Sequence, residues 1–391
     1  MREGGEITRR TMLKLSGAAG AAALWGGRAS IARAESGPIE HHVVFQEDGR
    51  FGGWPANHGI WHWGDEITFG YVEADHMERR GHTFDRDTAR HMFARSLNGG
   101  ATWSTRDGYA CGIRGWAHNH RIDEDKAVEP ADCPGGVDFT QRGFCLAFTR
   151  DSNNVGPSNF YYSTNRAHTW HGPFRFPDLD THGVAARTDY IIDGPHEMLV
   201  FLTSAKSDGG EGRVFCARTT DGGGSWERVA WIGEEPEVGF AIMPSSVRLS
   251  DTEILTTMRM REGDWNYMAA YISEDNAATW TRLDNPVSDT GQGGSPPALV
   301  KLRDGRIAMA YAVRAEPARM CVRYSSDGGR SWTDERVLRD DDGSTRDMGY
   351  PRMVQRPDGK LVVVYYYNNA LLDDHPPYRY IAATIFDPRE V

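Results

Sequence analysis

At 391 residues, with 39% hydrophobic content and 12 tryptophans, the chain can bury a sizeable core, and its length implies either two domains or one large repetitive one. A formal net charge of −11 argues against nucleic acid or an anionic membrane as a long-range partner. It leaves room for a local arginine cluster that grips an anionic sugar, and no cofactor is expected.

The N-terminus is set apart from the rest. Arg9 and Arg10 precede an apolar, alanine-rich run from Leu15 to Trp25, and Ala32-Arg33-Ala34 offers small residues for cleavage. The run is roughly half the ~20 residues a membrane span needs. Residues 1–34 therefore resemble a twin-arginine export signal, and the mature protein, 35–391, is expected in the periplasm or outside the cell with no membrane segment. Cleavage removes six basic and two acidic side chains, leaving 357 residues with a charge of −15.

Next come a short strand, His42–Gln46, and a first strand from Trp54 to Trp63. The turn Gly64-Asp65 leads into a second strand, Glu66–Val72. The box "SLNGGATW", Ser96 to Trp103, closes this unit. Its Asn accepts hydrogen bonds from its own turn, its glycines supply positive φ, and its Trp buries a large ring on the neighbouring sheet.

The polar stretch Gly112–Asp132 has no strand pattern. Cys111 and Cys133 flank it, so a disulfide worth about 3 kcal/mol in the chain-entropy model is expected there in an exported protein. Cys145, Cys216 and Cys321 sit in apolar runs and read as buried thiols. His118, His120, Asp123, Glu124 and Asp125 invite a metal, but no strong zinc spacing is present, and a solvated acidic loop without metal is the reading adopted.

Further along, strands are expected at Phe144–Thr149 and Asn159–Ser163, then in first and second pairs. These are Val184–Ile192 with Glu197–Thr203, Phe240–Leu249 with Glu253–Met258, Ser295–Leu302 with Arg306–Val313, and Tyr350–Gln355 with Lys360–Tyr367. The box recurs, with its tryptophans at 103, 170, 226, 280 and 332, or 67, 56, 54 and 52 residues apart. Ala167 and Ala277 replace the usual glycine, so those two turns are expected to distort. A period near 50 residues marks a radial array, and the expected fold is all-β, a six-bladed β-propeller of four-stranded blades with Asp-box turns. The last unit lacks an outer strand, which His42–Gln46 supplies to close the ring.

These boxes, with "GYPRMVQRPDGKLVVVYYY", "ARTDYII" and "CARTTDGGGSW", resemble the sialidase (neuraminidase) superfamily of BNR-repeat proteins along essentially the whole mature chain. The resemblance implies catalysis at the mouth of the central channel. It implies a tyrosine nucleophile, here Tyr350, activated by a glutamate, here Glu237, and an acid/base aspartate from a loop near blade one, here Asp85. It also implies three substrate-binding arginines, but the first-strand stretch "GGWPANHGIW" has none. Arg187 and Arg352 stand on first strands, with Asp189 and Asp347 as their structural partners otherwise, whereas blades four and five offer Ser245, Gln292 and Ser295.

His58 is the remaining catalytic candidate, since an imidazole titrates near neutral pH. Trp54, Asn57 and Trp61 would surround it at the mouth, with His82 and Arg86 from the adjacent loop. Trp265 and Tyr365 to Tyr367 read equally as sugar platforms or as core packing. The expected function is that of an exported, exo-acting glycoside hydrolase on an acidic or deoxy-sugar glycan, lacking the sialidase arginine triad. A polysaccharide lyase using His, Tyr and Arg, or a non-catalytic glycan-binding propeller, stays open, and the oligomeric state is not specified.

Overall fold

The computed structural model describes residues 38–391 except 80, 116, 118–119, 123–124, 342, 344–346 and 369–377. The signal segment and the candidate ligands His118, Asp123 and Glu124 lie outside the described residues. Among the described residues no helix is long and apolar enough to cross a membrane, and no group of side chains could hold a metal ion.

Six antiparallel sheets follow one another along the chain, as the repeat requires. Blade six is Gly349–Gln355, Leu361–Asn368 and Arg379–Phe386, completed by Ile39–Phe45 from the other end of the chain. That pairing runs from Ile39 opposite Phe386 to Phe45 opposite Ile381, so the expected ring closure is present. The architecture is the sialidase-like six-bladed β-propeller.

Two blades depart from the four-strand expectation. Trp54–Trp63 is not one strand: Arg50–Gly53 and Ile60–Trp63 each pair with Glu66–Asp75, separated by a short 3-10 turn at Pro55–Asn57. Pro55 has no amide to donate to a ladder, and Trp54 ahead of it takes a left-handed conformation at φ 58°. Blade two has three strands among the described residues, Cys145–Arg150, Ser158–Ser163 and His171–Arg175.

The core is divided among the blade interfaces. Between blades six and one, Val362, Val364 and Ile385 meet Phe69 and Trp103; between blades three and four, Phe201 and Val214 meet Met258 and Tyr267. Comparable clusters fill the other four gaps. Tyr365, Tyr366 and Tyr367 are fully buried in blade six, so core packing decides their role.

Each box satisfies its own backbone. Ser96 Oγ accepts from Gly100 N at 2.8 Å and Asn98 Oδ1 from Thr102 N at 2.9 Å, and the same pattern recurs at Ser325 and Asp327. The boxes with Ala167 and Ala277 keep these bonds at 3.0 and 2.9 Å, holding the alanines at φ 59° and 75°. The glycine boxes hold the same position at φ 88–94°, so the expected distortion is present as a shift in backbone angle, while the side-chain acceptors keep the bonds of the turn.

The expected disulfide is absent too, since Cys111 and Cys133 are both free thiols. Cys111 packs between blades one and two, whereas Cys133 packs against the cluster between blades two and three. The long loop is held instead by backbone bonds, among them Arg121 N to Ala89 O at 2.7 Å, Ala131 N to Pro173 O at 3.0 Å and Gly136 N to Asp221 O at 2.7 Å.

Candidate active site

The chain direction fixes where side chains gather. In every blade the connection from second to third strand lies at the same end of the ring as the start of the first strand, so Arg150, Glu211, Arg259 and Tyr350 come from four blades to one mouth. They line a cavity of about 190 Å3 together with Trp54, Asn57, His82, Phe84, Arg86, Asn153 and Arg187.

Bulges aim two of these elements. The pairing of blade six shifts between Gly349 and Arg352, where Tyr350 stands at φ 52°; blade four shifts between Ile242 and Ser245, where Met243 stands at φ 54°. Non-glycine residues in this region are strained and persist where the surroundings hold them, commonly at functional sites. The Tyr350 hydroxyl receives a hydrogen bond from Arg259 Nη1 at 3.0 Å, and its ring lies 5.4 Å from the Arg314 guanidinium.

Three arginines dominate the electrostatics. Arg150, Arg187 and Arg259 are buried, and the Nε of each has no partner. Burial first and the neighbouring Arg187 second push the Arg150 guanidinium well below its ordinary range, and burial also lowers Arg259. A guanidinium nonetheless keeps its proton in proteins, so burial leaves an unmet demand for an anion. Glu211 answers part of it, meeting Arg187 at 3.1 Å.

His82 lines the same cavity with its ring edge-on to Trp54, centroids 4.9 Å apart. Its Nδ1 is 2.6 Å from Asp347 Oδ1. Asp347 is buried and held to about 2 despite burial, by His82 first and then Arg379 and the Tyr366 hydroxyl.

Of the residues expected at the mouth, Trp54, Asn57, His82, Arg86, Arg187 and Tyr350 meet in the cavity; the others do not. His58 turns into blade one, over Gly70 and 4.4 Å from the His91 ring, and burial drives its imidazole well below the usual value. Trp61 packs on Trp170 and donates to the Tyr190 hydroxyl. Asp85 caps a 3-10 turn by accepting from Asp87 N at 2.9 Å. Glu237 is exposed in a separate acidic cavity with Glu234, Glu235 and Glu262, and Gln292 is exposed beside the loop that holds Arg259.

Arg352 spends its guanidinium on the carbonyls of Ala56 and Thr188, tying three blades together beneath the cavity. Asp189 lies 4.0 Å from it, and burial raises this carboxyl to about 7 against the pull of Arg352. A larger cavity of about 780 Å3 between blades two and three presents Glu129, Asp132, Asp151 and Asp178 with one arginine, a surface that would repel an anion.

The first-strand reading missed Arg150, Glu211 and Arg259. A signal existed: Arg150 closes the buried run Cys145–Arg150, Arg259 interrupts the buried part of Ile254–Glu262, and Arg314 directly follows Ile307–Val313, so each is a charge set at the mouth end of an apolar strand.

Comparison with known proteins bears on the fold. The chain is 24% identical over 216 residues to a probable oligoxyloglucan-reducing end-specific xyloglucanase of Neosartorya fischeri, a match covering 48% of this chain and 26% of that protein. It thus spans about a quarter of the length of that curated relative. A Dyadobacter fermentans protein of unknown function superposes with TM-score 0.65 at 17% identity, covering 89% of this chain and 98% of that one. The NanB sialidase of Streptococcus pneumoniae gives 0.60 at 11% identity over 91% and 71%, and an α-L-arabinofuranosidase of Fusarium graminearum 0.56 at 12% over 88% and 98%. At such identities the likeness is one of fold. The BNR repeat-like domain model matches residues 146–363, more than half of the sequence, and the chain belongs to that family.

Proposed function

We propose that the protein is an exo-acting glycoside hydrolase that removes a terminal acidic sugar. One observation carries this: three buried guanidinium groups, each with an unpartnered Nε, converge on the cavity that holds the Tyr350 hydroxyl. A carboxylate on the sugar would balance their buried charge from within the cavity. The cavity is smaller than the ~300–1,000 Å3 usual for drug-sized ligands, which favours one ring over a chain segment.

The chemistry follows from the same placement. A phenol meets the anomeric carbon of an anionic sugar without the repulsion a carboxylate nucleophile would suffer. Arg259 stabilises the phenolate as it forms, and Glu211 takes the role of proton acceptor that the sequence assigned to Glu237. The relatives named as sialidase, arabinofuranosidase and xyloglucanase support the hydrolase class. The arginines favour an acidic over a neutral sugar. Export through the twin-arginine route, supported by Arg9 and Arg10 before an apolar run, would place the enzyme where glycans are met.

Purified protein should release a monosaccharide from sialosides or uronate-terminated oligosaccharides and leave neutral α-L-arabinofuranosides intact. An unsaturated uronate product would make it a lyase. Tight binding of an acidic glycan with no turnover would make it a binding propeller.

A further inference from the structure

Asp85 is turned away as a helix cap, so the cavity needs another proton donor for the leaving group. We propose that His82, oriented by Asp347, is the general acid/base; this rests on the hydrolase reading above. His82 projects into the cavity with its side chain 44% exposed, whereas Asp347 behind it is 3% exposed. The 2.6 Å contact uses Nδ1, which leaves Nε2 as the nitrogen available to a ligand.

Asp347 is itself held in place. Tyr366 donates to Oδ1 at 2.7 Å, Arg379 Nε to Oδ2 at 3.2 Å, and Asn368 Nδ2 to the backbone carbonyl at 3.3 Å. A buried carboxylate fixed by two side-chain donors, on a backbone held by a third, supports an imidazolium and sets its tautomer once the proton has left. Trp54, edge-on to the ring, limits its rotation. The charged groups sharing the cavity with His82 are Arg86, Arg150, Arg187, Arg259 and Glu211, and no other histidine lines it among the described residues.

In the first step the glycosidic C–O bond breaks, the leaving oxygen takes the Nε2 proton of His82, and the Tyr350 oxygen bonds to the anomeric carbon while its own proton passes to Glu211. In the second step water attacks that carbon and gives a proton to the neutral Nε2. The Tyr350–carbon bond breaks and the phenolate recovers its proton from Glu211, so the net reaction is addition of one water.

The test uses His82→Gln with two substrates bearing the same acidic sugar, an aryl glycoside with an acidic phenol leaving group and a natural disaccharide. General acid catalysis typically contributes 10²–10⁴-fold, so the variant should lose about that factor on the disaccharide and within about tenfold on the aryl glycoside. Asp347→Asn, the positioning variant, should move the alkaline limb of the kcat/KM profile to lower pH with KM little changed. An equal loss on both substrates, or an unmoved profile in Asp347→Asn, would overturn the dyad while leaving the hydrolase reading in place. Wild-type protein inactive on every acidic glycoside would remove both.

Discussion

Arg259 is the donor closest to the proposed chemistry, because its buried guanidinium lines the cavity and donates to the Tyr350 hydroxyl. Removing one preorganised donor of this kind costs about 10²–10³ in kcat. Arg259→Ala should therefore lower kcat/KM on an acidic glycoside by at least that factor, and Arg259→Lys should not restore it, because an ammonium lacks the planar fork. Steady-state kinetics with circular dichroism as a folding control decides this.

Two buried carboxyls predict opposite pH effects on stability. Asp189 is raised to about 7, so its contribution is fully present below the unfolded value of about 3.9 and is lost as pH rises through 7. Asp347 is held at about 2, so its contribution is present above that unfolded value and is lost as pH falls toward 2. Urea midpoints across these windows should show Asp189→Asn flattening the neutral decline and Asp347→Asn flattening the acid one. A variant with the wild-type profile would refute the corresponding assignment.

At the scale of elements, the boxes were legible because the side-chain bonds that define them lie within five residues of sequence. Trp103 adds the non-local part: its Nε1 donates locally to Gly100 O at 2.8 Å, but its ring, 3% exposed, packs with blade-six residues. Trp103→Ala should destabilise the fold by about 3–5 kcal/mol, measurable by denaturant titration, since a large ring leaves a cavity between blades six and one. Its effect on the substrate affinity of the remaining folded protein should be small, as the box sits at the end of the ring opposite the cavity. The broken strand at Trp54 was only half legible: Pro55 and Gly59 signal the interruption, but the left-handed turn that sets Trp54 against His82 depends on packing from outside the segment.

At the scale of the whole molecule, stability depends on closing the ring. Ile39–Phe45 covers the edge of Arg379–Phe386, and His41 Nδ1 meets Thr384 Oγ1 at 3.0 Å across that seam. Deleting residues through Phe45 would expose an unpaired strand edge. The truncated protein should melt at a lower temperature and aggregate at its midpoint, whereas deletion ending before Pro38 should leave the melting temperature unchanged. Light scattering during thermal denaturation separates the two.

The sequence alone determined the repeat, the blade number and the seam, because strand periodicity and box chemistry are short-range and recur five times. It also located Tyr350, Arg187 and His82 near the mouth, since position in the repeat fixes which end of the ring a residue occupies. Only the tertiary structure decided that His58 and Glu237 turn away, that Arg352 braces the floor, and that Arg150, Glu211 and Arg259 complete the cavity. The physical reason is that the facing of a side chain at a strand end depends on bulges and left-handed residues, which are set by contacts with other blades hundreds of residues distant in the chain.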